Sequence, residues 1–183
     1  MNEKRHGDWS ATYSGKKYYP MDPRPEDVSI CDISHALSMI CRFGGHCNQF
    51  YSVATHSYLA SSFIKDDKVL AIKALLHDAS EAYIHDIIRP LKPCIVGYKE
   101  IEDKTMANIC KSLHIEWPWL PKDKEKIKEI DNRMLVTEAK YLMGDTRDWD
   151  ICKQYDPYDI VIKGCPPWEA KNLFMQRFSE LYV

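Results

Sequence analysis

Over most of the chain, apolar residues recur at the three- and four-residue spacing of an amphipathic helix, from which the N-terminal stretch and a late polar linker depart. Thr12 to Val28 is rich in Tyr, Pro and Gly, and YSGKKYY predicts a small hairpin turning at Ser14-Gly15. The first helix is expected from Asp32 or Ser34 through Ala36, Leu37, Ile40 and Cys41. Gly44-Gly45 is its expected stop, because glycine suits the left-handed position after a helix. Ser52 is placed to cap a second helix carrying Val53, Leu59, Ala60 and Phe63. Asp66 or Asp67 opens a third, VLAIKALLHDASEAYI, whose nearly unbroken apolar run implies burial on most sides, and Pro90 and Pro93 close that region. Further helices are expected from Tyr98 to Leu113, from Lys122 to about Leu142, and from Pro166 or Pro167 to Leu181. The polar linker GDTRDWDICKQYDPYDIVIKGCPP leaves room for one short strand. With no internal repeat, low-complexity tract or second-domain boundary, the prediction is a compact all-α bundle with a small N-terminal hairpin, one domain over residues 1–183.

At 183 residues the chain is long enough to bury about two-thirds of its extended surface without staples. Its 25 basic and 27 acidic residues leave a net charge of -2, no overall field for recruiting nucleic acid or an anionic membrane. An anionic ligand must therefore be held by local basic groups. The seven cysteines, at 31, 41, 47, 94, 110, 152 and 165, show no C-x-x-C spacing, and several sit in apolar helical patterns. Reduced thiols and a cytoplasmic setting are expected. MNEKRHGDWSATYSG carries no apolar leader segment, and no window reaches the roughly 20 apolar residues of a membrane span.

The chemistry concentrates in ALLHDASEAYIHD, which holds a His-Asp pair twice, as His77-Asp78 and His85-Asp86. A carboxylate inside a helix as apolar as AIKALLHDA costs several kcal/mol to bury unless it is paired, hydrogen-bonded or bound to metal. The first dyad sits in such a helix; the second falls at the helix exit, where IIRPLKP leads away from the core. The metal is therefore assigned to His77-Asp78, and Asp86 to substrate positioning. His56, in SVATHSYLAS on the preceding helix, and Asp131, in KEIDNRML, are the candidate partners. Alone, His56 reads as an ordinary core histidine and Asp131 as a solvated carboxylate; a buried dyad that needs partners makes a set of them. Glu81 follows His77 by four residues and Asp78 by three, so one helical turn brings it over the pair.

The set His56, His77-Asp78, Asp131 resembles the H…HD…D signature of HD-domain metal-dependent phosphohydrolases, and HDASEAYIHD resembles their HD-x-x-E-x-x-x-x-D extension. SGKKYYPMDP, DISHALSMICRFGGHCNQFYSVATHS, DIIRPLK and the spacing of Asp131 to Glu138 are similar to a branch of small bacterial and phage deoxynucleotide phosphohydrolases. That branch contains 5′-deoxynucleotidases and a phage dATP triphosphohydrolase. The resemblance spans roughly Tyr13 to Glu138, with an HD core at about 32–143 and a looser match in the C-terminal helix at about 166–181. It implies a helical bundle that forms dimers or hexamers and holds a divalent ion, Co, Mn, Zn or Mg.

Two imidazoles and two carboxylates suit a borderline first-row ion and leave positions open for water and a phosphate oxygen. By the resemblance, Glu81 orients or deprotonates the attacking water and Asp86 lies near the reacting phosphate. Arg42 resembles the branch's phosphate-binding arginine and Lys92 a basic residue at the phosphate tail, with Arg89 as a substitute. Phe43 stands where several relatives carry Trp and is expected to pack on base or deoxyribose. Ile88 and Pro90 are expected to wall the opposite side, and His46 recurs in the R-F-x-G-H pattern. The expected reaction is hydrolysis of a deoxynucleoside phosphate at the α-phosphorus, with dATP giving deoxyadenosine and triphosphate. The alternatives are a 5′-deoxynucleotidase acting on dNMPs, cleavage of a cyclic nucleotide or guanosine alarmone, and a non-catalytic regulatory scaffold.

Overall fold

A computed structural model describes residues 4–182. The chain is all-α apart from one hairpin, in which β1 (Ser10–Ala11) pairs antiparallel with β2 (Lys17–Tyr18). The turn falls where YSGKKYY places it, with Gly15 at φ 81° and its N–H bonded to the Thr12 carbonyl. Asp32 ties the hairpin to the bundle by accepting from the Ser14 backbone N–H (2.7 Å) and hydroxyl (2.8 Å). Tyr18, fully buried, stacks on Tyr83 at 4.0 Å between ring centres.

The helices are α1 (Ile30–Met39), α2 (Val53–Ser62), α3 (Lys68–Leu75), α4 (Glu81–Ile84), α5 (Tyr98–Ser112), α6 (Pro121–Leu142), α7 (Asp150–Gln154) and α8 (Pro167–Leu181). The caps follow side-chain chemistry: Ser52 accepts from the Thr55 N–H to start α2, and Asp67 from the Leu70 N–H to start α3. α1, α2, α3 and α8 pack on one another, and α6 crosses α2 and α3. Small residues at Ala54, Ala60, Ala71, Ala74 and Ala170 let these axes approach, while Leu37, Leu75 and Phe174 fill the interior. α8 buries Ala170, Phe174, Phe178 and Leu181, one apolar stripe that makes it a central member of the bundle. Among the described residues no helix is long and apolar enough to cross a membrane.

Three elements depart from expectation. The first helix starts earlier and stops at Met39, before the glycines, because Ile40 and Arg42 exchange backbone bonds with Val53 and Tyr51 instead of continuing the helical ladder. Phe43–Gly45 then form a 3-10 turn, with Phe43, Gly44 and Gly45 all at positive φ. The third helix is interrupted: α3 ends at Leu75, and Ala79, Glu81, Ala82 and Tyr83 bond back three residues before α4 takes over. The linker holds the short helix α7 and, among the described residues, no strand.

Candidate metal centre

The interruption after α3 is what presents the first dyad. His77 and Asp78 sit in tight turns of the kind that mark functional breaks in helices, not in the regular helix that periodicity suggested. His56 comes from the middle of α2, where no solvent reaches it. Asp131 and Glu138 come from α6, and their seven-residue separation, close to two full turns, puts both on one stripe facing α2.

Three acceptor atoms converge, and a fourth lies beside them. His56 Nε2 lies 3.2 Å from His77 Nε2 and 3.4 Å from Asp131 Oδ1, and the ligand atoms of these three residues fall within 4.8 Å of one another. Asp78 Oδ2 joins at 3.2 Å from His77 Nε2 and 3.8 Å from His56 Nε2. An ion about 2.1 Å from each donor places cis ligands about 3.0 to 3.4 Å apart; the His56–His77, His56–Asp131 and His77–Asp78 separations fall in that range, while His77–Asp131 at 3.9 Å and His56–Asp78 at 3.8 Å are wider.

The tautomers follow from the outer partners. His77 Nδ1 faces the Ala74 carbonyl at 2.7 Å, an atom that only accepts, so Nδ1 carries the hydrogen and the Nε2 lone pair points inward. His56 Nδ1 donates to Glu138 Oε1 at 2.6 Å, with the same result. Two lone pairs and the Asp131 carboxylate thus face one another, with the Asp78 carboxylate beside His77 and no donor among them. Without a metal, a proton must relieve this: burial opposes charge on His77, but Asp78 outweighs it and raises the imidazole to about 9. Burial likewise opposes the charge of Asp78, and His77 overcomes it, holding the carboxyl below its ordinary range.

Glu138 is the site residue to which sequence reasoning assigned no role. It is fully buried and accepts four donors: His56 Nδ1, the Tyr51 hydroxyl (2.9 Å), and Arg42 Nε and NH2 (both 3.0 Å). Burial opposes its charge, yet Arg42 and His56 keep its pKa low. The late D-x-x-x-x-x-x-E spacing was the available signal. Arg42 also approaches Asp78 Oδ2 at 3.7 Å, so it neutralises the centre from behind as well as facing the dyad.

A cavity of about 780 Å³ lies between the Gly44-Gly45 turn and the segment from Glu81 to Asp86, which includes His85 of the second dyad. Glu81 is buried; Lys92 bonds its Oε1 at 3.0 Å, while Oε2 has no hydrogen-bond partner. Burial, with Asp78 and Asp86 adding repulsion, pushes its carboxyl well above the ordinary range. Asp86 lines the cavity just after His85, whose φ of 71° ends α4.

The structure distributes the other expected binding residues unevenly. Ile88 abuts the Gly44 turn, where a Cβ on Gly44 would meet Ile88 Cγ2 at 3.4 Å. Phe43 is partly buried, 5.6 Å from the Arg42 guanidinium and 6.5 Å from the Trp149 ring. His46 and Pro90 are exposed and are not among the described cavity-lining residues. Lys92 is engaged by Glu81 and Glu102, and Arg89 by Asp131 Oδ2 (3.1 Å) and Asn132 Oδ1 (3.1 Å). Among the described residues, the basic side chain paired with the dyad is Arg42, 3.7 Å from Asp78.

Fold and site together define an all-α protein with a His56, His77 and Asp131 cluster, Asp78 beside it, and a separate cavity lined by Glu81 and Asp86. The Escherichia coli (strain K12) protein YfdR, itself described as uncharacterized, is 36% identical to this chain over 172 residues, 93% of each. RCAP_rcc00048 of Rhodobacter capsulatus, likewise described, is 32% identical over 188 residues, 94% of this chain and 95% of that protein. The chain belongs to the family of these proteins. No family model matches it.

Proposed function

We propose that this protein is an HD-type metal-dependent phosphohydrolase of the cytoplasm that cleaves deoxynucleoside phosphates at the α-phosphorus, works as a homo-oligomer, and engages neither nucleic acid nor membrane. The observation that carries the reading is the cluster of His56 Nε2, His77 Nε2 and Asp131 Oδ1, with Asp78 beside His77 and both imidazole tautomers set by outer partners. His56, His77, Asp78 and Asp131 would hold a divalent ion, which when bound neutralises phosphate charge and makes water acidic enough to attack. The same donor set accommodates Co, Mn, Zn or Mg.

The chain's own groups have separable tasks. Arg42 gives the Nε and Nη2 edge of its guanidinium to Glu138, which holds it in place, and leaves Nη1 toward the dyad to offset phosphate charge. Glu81, with Oε2 unpartnered beside the cavity, holds or moves the proton of the attacking water at that atom. Asp86, on the cavity wall, positions a sugar hydroxyl or receives the leaving oxygen's proton. The Gly44-Gly45 turn and Ile88 form the apolar side against which a nucleoside rests.

Two substrates compete within this reading. dATP, giving deoxyadenosine and triphosphate, needs cations along the tail, whereas the engagement of Lys92 and Arg89 in ion pairs favours a 5′-deoxynucleotidase acting on dNMPs. Product analysis across the four dNTPs and dNMPs, with each of several divalent metals, separates them: triphosphate marks the first and orthophosphate from dNMPs the second. His77→Ala and Asp78→Ala should abolish turnover and metal binding together. Unchanged turnover in both variants refutes the hydrolase assignment and leaves a regulatory scaffold.

A further inference from the structure

The turn that carries Arg42 is bracketed by two cysteines. Cys41 and Cys47 bring their sulfurs to 3.4 Å across six positions of sequence, and both are partly exposed free thiols. Between them lie Arg42, the three consecutive positive-φ residues Phe43, Gly44 and Gly45, and His46. Its backbone is held by the Arg42 N–H to the Tyr51 carbonyl (2.9 Å) at one end, the Asn48 N–H to the Leu142 carbonyl (2.8 Å) at the other, and two turn bonds inside, while the Arg42 side chain is anchored on Glu138 and the Asn48 amide on the Tyr141 carbonyl. Cys41 lines the cavity that contains Glu81 and Asp86, whereas Cys47 lies behind the turn with its sulfur 3.7 Å from the Arg42 carbonyl. Closing 3.4 Å to the roughly 2.05 Å of a disulfide takes a sulfur shift of about 1.4 Å, within reach of χ1 adjustment.

We infer that Cys41 and Cys47 are a reversible oxidation site for low-molecular-weight disulfides, and that their cross-link clamps the turn presenting Arg42 and Gly44-Gly45 to the cavity. Cys41, reached through the cavity, loses its proton, and the thiolate attacks one sulfur of an external disulfide R–S–S–R. The R–S–S–R bond breaks, one R–S⁻ leaves, and a Cys41–S–S–R mixed disulfide forms. Cys47 then loses its proton, and its thiolate attacks the Cys41 sulfur and expels the second R–S⁻. The two released thiolates take up the two protons, so the protein dithiol is oxidised as the external disulfide is reduced to two thiols. A bond of this kind in a reducing compartment is transient and regulatory rather than structural.

Its cross-linking half stands apart from the hydrolase reading; only the effect on turnover rests on it. The test treats the full-length protein with glutathione disulfide and maps the product after trypsin, which cuts after Arg42 between the two cysteines. A Cys31→Ser background removes the other thiol of the peptide containing Cys41. The expected result is two peptides joined through Cys41 and Cys47, released by dithiothreitol and absent in Cys47→Ser. Hydrogen exchange at residues 42–46 should slow several-fold on oxidation, and turnover should fall several-fold in the parent while Cys47→Ser, active before treatment, stays unaffected. Glutathione adducts without the internal link, or a link to another cysteine, overturn the site. A formed link that leaves exchange at 42–46 unchanged overturns the clamp, whether or not any phosphohydrolase activity is found.

Discussion

Replacing Glu138 by Gln tests the site where its logic is tightest. Both carboxylate oxygens are saturated by donors, Oε1 by His56 Nδ1 and the Tyr51 hydroxyl and Oε2 by Arg42 Nε and NH2. Glutamine must replace one oxygen by NH2, and either orientation sets donor against donor. If NH2 faces Arg42, a guanidinium whose side chain is only 11% exposed loses its buried counter-ion; if it faces His56, the imidazole loses the bond that fixes its tautomer. Removing one partner of a buried pair costs about 3 to 5 kcal/mol, and the lower end applies because Asp78 remains 3.7 Å from Arg42. Loss of an outer partner of a ligating histidine weakens metal affinity by about 10- to 100-fold, or about 1.4 to 2.7 kcal/mol. Denaturant unfolding of metal-free protein should report the first cost, and competition with a calibrated chelator for Mn or Zn should report the second. Variant and parent with the same metal affinity, despite the lost stability, would reduce Glu138 to a packing group and remove the argument for an oriented His56.

The remaining predictions concern charge. In metal-free protein the His77 imidazole rises from 6.5 to about 9, so its contribution to stability is fully present below pH 6.5 and is lost as pH climbs through 9. The depressed Asp78 contributes in the opposite sense, present above the ordinary carboxylate range and lost in strong acid. Thermal unfolding should therefore show metal-free stability declining from pH 6.5 to 9 and the gain from added Mn or Zn growing over that window; a gain independent of pH contradicts the shared-proton picture. Lys73, buried in α3 with Asp123 at 2.7 Å and Glu116 at 3.2 Å, lies outside the site. Lys73→Ala should cost about 3 kcal/mol and Lys73→Met much less, with metal affinity unaltered in both. Equal losses in the two variants would mean that the unpaired Asp123, common to both, and not lost packing sets the cost.

Much of the site was legible from residue types. A carboxylate in so apolar a run demanded a partner, and Asp78 lies 3.2 Å from His77, which groups with His56 and Asp131. Local chemistry also placed the hairpin turn at Ser14-Gly15, the Ser52 cap and the start of α8, because those features depend on a few adjacent residues. The tails of Lys92 and Arg89 were less accessible to such reasoning. Their partners Glu81, Glu102, Asp131 and Asn132 lie 10 to 43 residues away, and a free cation and a paired one look alike in sequence.

What the sequence alone determined is the inventory: an all-α chain with a hairpin, among the described residues no helix long and apolar enough to cross a membrane, and one dyad that burial forces to find company. Tertiary structure decided the geometry. Periodicity cannot see that the helix gives way after Leu75, because turns closed by bonds three residues back carry the same apolar residues as a helix and differ only in what packs around them. Nor can it show that Glu138 stands behind His56, since that contact spans 82 positions and exists only once α6 lies across α2.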